Sequence, residues 1–533
     1  MSGLHDAAVL ARAGMISPAH LLRSRKALSD VRHWGPVVGA AKLAARRRPD
    51  DVGIVDDRGE VTFGELERRT TALAKSLRAK EIGPKSVVAV LCRDHRGPIE
   101  TMLACGKLGA TTILLGTGLA APQVAALVRR EHVDVLVHDQ EFGAELAELA
   151  PAVRRFVAWR DEPGAGVPTL DELVADAPKG RLRRPPDVSK VVLLTSGTTG
   201  TPKAAPRKIR SGLAAADFLD RIPLRAGEST FIAAPIFHGI GFLHVVLALG
   251  LGSTMVVRRR FDARQTMAAV DRYGCSTLVV VPTMLQRIME LGERELSGYD
   301  LAKLQVLFCS GSALAPALAT LTMDRLGDVL YNFYGTTEVA VATVATPADL
   351  RAAPGTVGHS PHNCTVRLYD VDNVEITGAG KVGRILVGSS LRSAGRSARD
   401  EIDGLVDTGD LGHFDSAGRL FIDGREDDMI ISGGENVFPG EVEHLLMTHY
   451  QVRDAAVVGV PDHQFGQRLR AYVVPTPGAE LDPSELREFV RVSLARHKVP
   501  RDVVLVPHLP RTATGKVIRA GLEAANGPFP RSE

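Results

Sequence analysis

The spacing of hydrophobic and polar residues differs between regions of the chain. Residues 1–48 carry apolar side chains at helical spacing and end in three arginines before a proline, which predicts amphipathic helices. From residue 52 onward, short β-branched runs alternate with longer amphipathic segments. This alternation predicts an α/β fold, in which mostly parallel strands form sheets covered by helices on both faces.

The elements predicted for this central region follow from the same pattern. The predicted strands are Val61–Phe63, Val87–Leu91, Thr112–Leu115, Val133–Val137, Lys190–Leu194, Thr230–Ala233, Thr254–Val257, Thr277–Val281, Val306–Phe308 and Val329–Tyr331. The predicted helices are Glu65–Arg78, Pro98–Leu108, Pro122–Arg130, Phe242–Leu251, Ala263–Arg272 and Met284–Leu291. Residues 161–185 are rich in Pro, Gly, Asp and Arg, and therefore predict an exposed linker.

The pattern changes near Gly355, where short strand-like pieces alternate with glycine turns and predict a small antiparallel β subdomain. After Gly424 a separate small α/β unit is predicted. The strands of the β subdomain are Thr365–Tyr369, Arg384–Val387 and Leu420–Ile422. The elements of the last unit are helices Gly440–Thr448 and Pro483–Arg496 and strands Ala455–Val460, Leu469–Val474 and Val503–Val506. We therefore expect an N-terminal helical extension (1–48), a large N-terminal domain (49–426) and a small, mobile α+β C-terminal domain (427–533).

Composition narrows the class of protein. The chain has 533 residues, enough for two or three domains, and its 45% hydrophobic and 24% charged residues are ordinary for a globular protein. A net charge of +3 does not indicate a nucleic-acid partner. Its five cysteines are widely spaced, which predicts reduced thiols in a cytoplasmic protein. The sequence contains no run of about 18 apolar residues, so no membrane-spanning helix is expected. Peripheral membrane contact through the basic, apolar residues 1–48 is the alternative expectation.

A loop rich in Gly, Ser and Thr follows the strand predicted at Lys190–Leu194. Glycines let successive backbone N–H groups point at one anion, hydroxyls donate further hydrogen bonds, and a lysine supplies charge. The loop lacks the Walker pattern, because no Gly-Lys-Ser/Thr stands at the required spacing. The residues predicted to bind phosphate are Thr195, Ser196, Gly197, Thr198, Thr199, Gly200 and Lys203.

Further stretches with chemical potential are spread over the chain. They are Pro235–Phe242 with His238, Ser310–Leu314, Tyr331–Glu338, Asp407–Asp410, Gly424–Glu443 and Pro510–Arg519 with Lys516. Taken with the glycine loop, they resemble the acyl-adenylate-forming enzymes, a superfamily that includes acyl-CoA synthetases, aryl-CoA ligases, luciferases and peptide-synthetase adenylation domains. Ala204 is a departure, since that superfamily usually has Gly at this position.

The resemblance implies a role for each of these stretches. Lys516, Thr337, Glu338 and His238 are the implied catalytic residues, with Glu338 as the Mg²⁺ ligand and Asp427 as the hinge. The implied contacts to ATP and to coenzyme A, beyond the glycine loop, are Gly311, Ser312, Ala313, Asn332, Tyr334, Gly335, Thr336, Asp410, Arg425, Gly433 and Gly434. Among these, Gly433 and Gly434 are implied to let the pantetheine arm of coenzyme A pass close to the backbone.

The resemblance also implies a reaction in two steps, in which an acid is adenylated by Mg·ATP and then transferred to a thiol. The expected substrate is a medium- or long-chain fatty acid, because an apolar helix follows His238. An aryl or alicyclic carboxylate is the nearest alternative, and an acyl-AMP ligase that loads a carrier protein is another. A non-catalytic nucleotide-binding paralogue is the alternative outside enzymes. A monomer or a homodimer is expected.

Overall fold

The structure is a computed structural model that describes residues 2–16, 21–143, 146, 149, 153–162, 164, 166–195, 203–207, 214–336, 339–389, 401–432, 435–462, 466–512, 515–519 and 522. The helices of these residues are α1 (Ser2–Arg12), α2 (Leu21–Arg47), α3 (Phe63–Ala79), α4 (Arg96–Leu108), α5 (Ala121–Arg130), α6 (Leu170–Ala175), α7 (Ala214–Leu219), α8 (Gly239–Leu251), α9 (Ala263–Arg272), α10 (Pro282–Met289), α11 (Glu293–Leu296), α12 (Pro316–Leu326), α13 (Pro347–Ala352), α14 (Pro439–Met447) and α15 (Pro483–Ser493).

The strands are β1 (Val52–Asp56), β2 (Gly59–Thr62), β3 (Val87–Leu91), β4 (Thr111–Leu114), β5 (Val135–Asp139), β6 (Arg154–Trp159), β7 (Val191–Thr195), β8 (Lys203–Arg207), β9 (Ser229–Ile232), β10 (Thr254–Val256), β11 (Thr277–Val280), β12 (Val306–Cys309), β13 (Leu330–Tyr334), β14 (Thr343–Ala345), β15 (Thr365–Tyr369), β16 (Gly383–Gly388), β17 (Glu401–Ile402), β18 (Leu405–Phe414), β19 (Leu420–Arg425), β20 (Ile430–Ser432), β21 (Glu435–Val437), β22 (Val452–Asp462), β23 (Gly466–Pro475) and β24 (Asp502–Leu505).

The N-terminal region is helical, as the spacing of its apolar residues predicts. Helix α2 is kinked at Gly35, whose φ of 78° and ψ of 168° are not helical, and Pro36 follows. A proline interrupts the hydrogen-bond ladder of a helix, so a bend at this point has a direct cause. Beyond the kink, α2 packs against α3, α4 and α8.

One sheet has six strands in the order β6-β5-β3-β4-β7-β8. All neighbouring pairs are parallel except β7 and β8. Strand β3 matches the predicted Val87–Leu91, because its β-branched run is buried in the middle of the sheet. Strand β8 was not predicted, since Lys203–Arg207 contains Pro206, which a sheet tolerates at its edge.

A second sheet has eight strands in the order β14-β13-β12-β11-β9-β10-β1-β2, with antiparallel strands only at its two edges. The prediction that β13 ends at Tyr331 is wrong, because the strand continues to Tyr334. Strand β14 pairs with this extension and places Asn332 opposite Ala345. Pairing with β14, which the apolar pattern of β13 itself does not show, therefore decides where β13 ends.

The small antiparallel sheet predicted after Gly355 is present, with the order β15-β16-β18-β17 and with β19 paired to β18. The last sheet has the order β21-β20-β23-β22, with β24 parallel to β23 and with α14 and α15 packed beside it. The mixed α/β fold class that the sequence predicts is confirmed.

Two further predictions need correction. Residues 161–185 do not form only a linker, because Leu170–Ala175 is helix α6 and buries Leu170 and Leu173. Thr169 and Glu172 form a capping box at its start, a signal that the proline- and glycine-rich composition concealed. Helix α8 begins at Gly239 instead of Phe242. Among the described residues, no helix combines the length and apolar character needed to cross a bilayer.

Candidate active site

The glycine loop connects two paired strands. Strands β7 and β8 are antiparallel, and their register places Thr195 opposite Lys203. The predicted phosphate-binding residues Ser196, Gly197, Thr198, Thr199 and Gly200 lie outside the described residues. Ala204 lies within β8 opposite Leu194, so the residue that departs from the usual Gly has regular strand conformation.

His238 follows the end of β9 by six residues and is the N-cap residue of α8, where its side chain makes no capping hydrogen bond. Its backbone N–H donates to the Pro235 carbonyl at 3.0 Å, and its ring centroid lies 4.5 Å from that of Phe237. Its Nε2 has no hydrogen-bond partner among the described residues. Burial, together with the positive charge of Lys516, lowers the pKa of His238 to about 4. The imidazole is therefore neutral at physiological pH.

The turn that carries Lys516 is fixed by its backbone. The Gly515 N–H donates to the Thr512 carbonyl at 2.8 Å, and Gly515 has a φ of 79°, which favours glycine. Arg511 pairs with Asp454 of β22 at 2.7 Å and anchors the turn to the last sheet. A Cβ at Gly515 would lie 2.7 Å from Oγ1 of Thr283 in α10, so the turn packs tightly against the eight-stranded sheet's helices. Two predicted catalytic residues, Lys516 and His238, are thereby brought close together.

Two of the predicted nucleotide residues, Tyr334 and Arg425, contact the carboxylate of a third, Asp410. The Tyr334 hydroxyl donates to Oδ2 of Asp410 at 2.6 Å, and Nη1 of Arg425 lies 3.1 Å from Oδ1. Asp410 is only 6% exposed and lies opposite Arg425 in the β18–β19 pairing. Burial and the negative charge of Asp410 raise the pKa of Tyr334 well above its ordinary value, so Tyr334 keeps its proton.

Thr408 belongs to this group, although the sequence did not single it out. Its hydroxyl lies 3.3 Å from the Tyr334 hydroxyl and donates to the Ile385 carbonyl at 2.9 Å. It also accepts the backbone N–H of Asp410 at 3.2 Å. Its position between Asp407 and Asp410 was the available signal.

The segment after β13 turns sharply. A Cβ at Gly335 would collide with the Ala340 carbonyl, so the backbone approach requires glycine. The Thr336 hydroxyl is buried and has no partner among the described residues. The Asn332 amide nitrogen lies 3.3 Å from the Thr356 carbonyl, an inward hydrogen bond of the buried Asn332 side chain. Thr337 and Glu338 lie outside the described residues.

The turn after β12 contributes the third group of predicted contacts. Gly311 has a φ of 102°, which allows the chain to reverse direction directly after the buried Ser310. Ser312 is half-buried and Ala313 is exposed. These residues and His238 both follow parallel strands of one sheet, so they lie at its carboxyl edge, where ligands bind in α/β folds.

Residues predicted for the hinge and for the pantetheine arm fall at the start of the predicted C-terminal domain (427–533). Asp427 lies in the short 3₁₀ helix Glu426–Asp428. Strands β20 and β21 pair with Ser432 opposite Glu435. Gly433 and Gly434, which separate these two residues in the sequence, lie outside the described residues.

Asp94 is a residue that sequence reasoning missed. It follows β3 of the six-stranded sheet, and its Oδ1 accepts the backbone N–H of Ile236 at 2.8 Å. Burial raises the pKa of Asp94 to about 7, and the nearby Asp139 adds to this effect. Asp94 therefore links the six-stranded sheet to the turn that carries His238. An acidic residue three positions after a buried strand was the available signal.

Within the described residues, Cys92, His95 and Asp139 are close enough to share a metal ion. Nδ1 of His95 instead accepts the Gly97 N–H at 3.0 Å, and its Nε2 lies 2.8 Å from Asp139. Because both ring nitrogens are already used, these buried residues form a structural hydrogen-bond group and do not fit a metal.

Comparisons with known proteins agree with this architecture. The model of the AMP-binding enzyme family matches residues 42–395, and that of the AMP-binding enzyme C-terminal domain matches residues 441–516. The chain is 32% identical to an indoleacetate–CoA ligase of Aromatoleum aromaticum over 86% of this chain and 92% of that protein. It is also 32% identical to a feruloyl-CoA synthase of an Amycolatopsis species over 89% and 96%. The amide bond synthetase McbA of Marinactinospora thermotolerans has a similar structure, with a TM-score of 0.81, 28% identity and coverage of 91% and 99%.

The sheets and the converging loops define the fold of the acyl-adenylate-forming enzymes. The chain belongs to the AMP-binding enzyme family and is an acid–thiol ligase. The resemblance inferred from the sequence is confirmed.

Proposed function

We propose that this protein joins an aryl or alicyclic carboxylic acid to coenzyme A through an acyl-adenylate. The observation that carries the proposal is the placement of the Lys516 turn: it packs against Thr283 while the charge of Lys516 acts on His238. This arrangement supports an adenylation-competent geometry, with a cation from residues 427–533 beside the loops of residues 49–426. These two ranges are the domains that we propose.

The nucleotide would bind between the glycine loop and the Asp410 group. Asp410 presents a buried carboxylate, already oriented by Tyr334 and Arg425, that can accept hydrogen bonds from ribose hydroxyls. The buried Thr336 hydroxyl without a partner in the described residues fits a phosphoryl oxygen. Together with Thr195–Gly200 and Lys203, Thr336 would hold the phosphate groups. Gly311, Ser312 and Ala313 would flank the adenine and the acid.

Magnesium suits the same site. The resemblance assigns Glu338 as its ligand, and a carboxylate oxygen is a ligand that Mg²⁺ prefers when substrate phosphates supply the others. When bound, the ion would neutralise charge on the β- and γ-phosphates. The buried Thr336 hydroxyl has no partner among the described residues and precedes Glu338 by two residues in the sequence, which is consistent with a phosphate at this place.

In the first step, an oxygen of the acid attacks the α-phosphorus of ATP, and the bond to the β-phosphate oxygen breaks to release pyrophosphate. Two anions must approach each other, so the protein's main task is to position them and to stabilise developing charge. Lys516 would bridge the carboxylate and the α-phosphate. Neutral His238 would flank the carboxylate without placing a second positive charge beside it.

In the second step, the sulfur of coenzyme A attacks the acyl carbon, the carbon–oxygen bond to phosphate breaks, and AMP leaves. Lys516 is not required for this step. Rotation about Asp427 would withdraw it and present Gly433 and Gly434 to the pantetheine arm. Hinge motions of this kind are a common way to assemble two sites in turn.

Two arguments favour a compact, ring-containing acid over a long alkyl chain. Helix α8 is the apolar helix from which the fatty-acid substrate was predicted. One face of it belongs to the core that contains Val90 and Met102, and the other face belongs to the cluster around Phe308. The two relatives named above carry indoleacetate and feruloyl in their names. The medium- or long-chain fatty acid predicted from the sequence remains the alternative substrate.

A panel of acids tests the proposal. Purified protein with ATP and Mg²⁺ would receive indole-3-acetate, hydroxycinnamates, cyclohexane carboxylates and fatty acids, with AMP and pyrophosphate release as the readout. Ring-containing acids should give the highest kcat/KM. Preference for octanoate or palmitate would support the fatty-acid alternative, and the absence of pyrophosphate release with every acid would contradict an adenylating enzyme. Mass spectrometry with coenzyme A or with a carrier protein identifies the acceptor.

A further inference from the structure

The segment that carries Asp410 is a bulge in the pairing of β16 with β18. Leu386 pairs with Asp407 and Arg384 pairs with Leu411, so the register shifts between these two pairs. In this interval β18 has three residues, whereas β16 has one. A bulge re-aims the side chains that it contains, so the contacts that hold this bulge also direct the Asp410 carboxylate.

Asp407 shapes the bulge from within β18. Its Oδ1 accepts the backbone N–H of Gly409 at 2.7 Å, and Gly409 has a φ of 72°, which favours glycine. A short aspartate side chain that accepts a hydrogen bond from the backbone two residues later fixes a turn locally. Thr408 adds a second local contact, because its hydroxyl accepts the backbone N–H of Asp410. The backbone leading into Asp410 therefore depends on the Asp407 side chain.

Arg384 holds Asp407 from the neighbouring strand. Its Nη1 lies 3.1 Å from Oδ2 of Asp407, and the two side chains are only 13% and 5% exposed. Nη2 of Arg384 donates to the Asp370 carbonyl at 3.2 Å and also contacts Oδ1 of Asn373, both in the turn after β15. One oxygen of Asp407 is thus anchored to β16 while its other oxygen holds Gly409.

A buried ion pair is weak evidence for stability, because the cost of removing two charges from water can exceed their attraction. Such a pair can instead select one conformation over others. Arg384 and Asp407 lie beside the carboxylate that we propose to bind ribose, so the conformation they select is that of the candidate nucleotide site.

We propose that Arg384 and Asp407 are positioning residues for the nucleotide, which direct the Asp410 carboxylate toward the ribose hydroxyls. This inference rests on the proposed function, because it concerns the contact proposed there between Asp410 and ribose. Neither residue of the pair touches the nucleotide. The pair therefore acts on every ligand that binds through this ribose, namely ATP, acyl-AMP and AMP.

Two nucleotides test the inference without any acid. We would measure the binding of AMP and of 2′,3′-dideoxy-AMP, which lacks both ribose hydroxyls, to the full-length protein by calorimetry. Hydrogen bonds from both hydroxyls to a charged acceptor correspond to about 100-fold or more in Kd. The unmodified protein should prefer AMP by at least this ratio.

Variants of the pair assign the effect. Asp407→Asn keeps an oxygen for the Gly409 N–H but removes the charge beside Arg384, and Arg384→Met removes the opposite charge. Each should lower the preference for AMP by about tenfold, because a displaced carboxylate meets the hydroxyls poorly. The double variant should lower it no further, since both residues act through one contact. Binding of 2′,3′-dideoxy-AMP should stay nearly unchanged, whereas general damage to the site would weaken both nucleotides.

Asp415→Asn is the matched control. Asp415 directly follows β18, and its Oδ1 accepts the backbone N–H of Ala417 at 2.9 Å. Its Oδ2 lies 2.7 Å from Nε of Arg419. These are the same two kinds of contact that Asp407 makes, but in a turn that does not contain Asp410. The preference for AMP should therefore stay at the value of the unmodified protein.

The possible outcomes separate the inference from the proposed function. A preference for AMP that Asp407→Asn and Arg384→Met both leave unchanged would overturn the inference and leave the ribose contact at Asp410 standing. No preference in the unmodified protein would instead contradict that ribose contact, and the inference with it.

Thermal unfolding of each variant checks that the fold is retained. If one of the two single variants does not fold, the other decides with the same ratio. If neither folds, Arg384→Lys decides, because it keeps the charge but lacks the planar fork that reaches Asp407 and the Asp370 carbonyl together. A lowered preference for AMP in Arg384→Lys would support the inference, and an unchanged one would overturn it.

Discussion

Tyr334 and Asp410 make the shortest described polar contact of the candidate nucleotide site, with 2.6 Å between the hydroxyl and Oδ2. Tyr334→Phe removes the donor but keeps the ring, so the buried carboxylate loses one of its partners. We expect the free energy of unfolding to fall by about 1–3 kcal/mol and KM for ATP to rise several-fold. Urea denaturation and initial rates measure the two effects.

The control for Tyr334 is Tyr331→Phe, which changes a half-buried tyrosine three residues earlier in β13. It should change neither quantity by a comparable amount. An unchanged KM for ATP in Tyr334→Phe would contradict the placement of ribose at Asp410.

The raised pKa of Asp94 predicts that the free energy of unfolding depends on pH. Its pKa is about 7 in the folded protein, above its ordinary value of 3.8, so between these values the folded state holds a proton that the unfolded state has released. The contribution of the Asp94 carboxyl to the free energy of unfolding is therefore fully present at low pH and is lost as pH rises toward 7. Asp94→Asn retains an acceptor for Ile236 but cannot ionise. Relative to this variant, the unmodified protein should lose about 1–3 kcal/mol between pH 5 and pH 7.5.

Urea unfolding across that pH range measures the difference for Asp94. Parallel stability curves of the two proteins would show that the carboxyl keeps its ordinary pKa. Because His238 follows Ile236 by two residues, the same variant should also reduce the pH dependence of the adenylation rate near pH 7.

At the scale of elements, the Lys516 turn depends on one glycine. Gly515→Ala places a Cβ 2.7 Å from Oγ1 of Thr283 and forces a non-glycine residue to a φ of 79°. A left-handed conformation costs about 1–2 kcal/mol for such a residue. We therefore expect adenylation to slow by about tenfold or more, whereas reaction of supplied acyl-AMP with coenzyme A should be little affected.

A second variant separates the two costs at Gly515. Thr283→Ala removes the colliding hydroxyl, so Gly515→Ala in that background should recover part of the adenylation rate but not the part due to backbone conformation. Full activity of the single variant Gly515→Ala would contradict the tight packing of this turn.

The conformation of strand β8 explains why alanine is tolerated at position 204, where the superfamily usually has Gly. Ala204 lies in β8 with a strand partner, Leu194. Glycine in a strand costs about 0.5–1 kcal/mol relative to alanine, so alanine suits regular strand conformation at this position. The usual Gly is therefore not required for the backbone described here.

At the scale of the whole molecule, the two predicted domains meet at Lys516 and His238. Lys516→Ala removes the group that we propose to bridge the two reacting anions. Loss of one preorganised charge contact typically costs about 10²–10³ in rate, and we expect at least this loss in adenylation. Thioester formation from supplied acyl-AMP should proceed at nearly the original rate, because the proposed mechanism does not use Lys516 in that step.

Lys516→Arg is the matched control, since it keeps the charge and changes the geometry. It should recover only part of the adenylation rate. Equal loss of both half-reactions in Lys516→Ala would contradict the division of labour between two domain arrangements.

Sequence alone determined the fold class, the family and most buried strands. Strand β3 was predicted residue for residue because a run of β-branched side chains buried on both faces needs no particular partner to be recognised. The short motifs around residues 195–203, 331–338 and 424–443 were recognisable because phosphate binding and tight turns restrict residue type.

Tertiary structure decided what depends on pairing and packing partners outside the local run of residues. Pairing with β14 extends β13 to Tyr334, and pairing with β7 makes a strand of the proline-containing Lys203–Arg207. The hydrogen bond from Ile236 to Asp94 follows from packing between the six-stranded sheet and the turn before α8. Local sequence encodes propensity and chemistry, whereas burial, hydrogen-bond partners and the pKa values they shift exist only once the chain has folded.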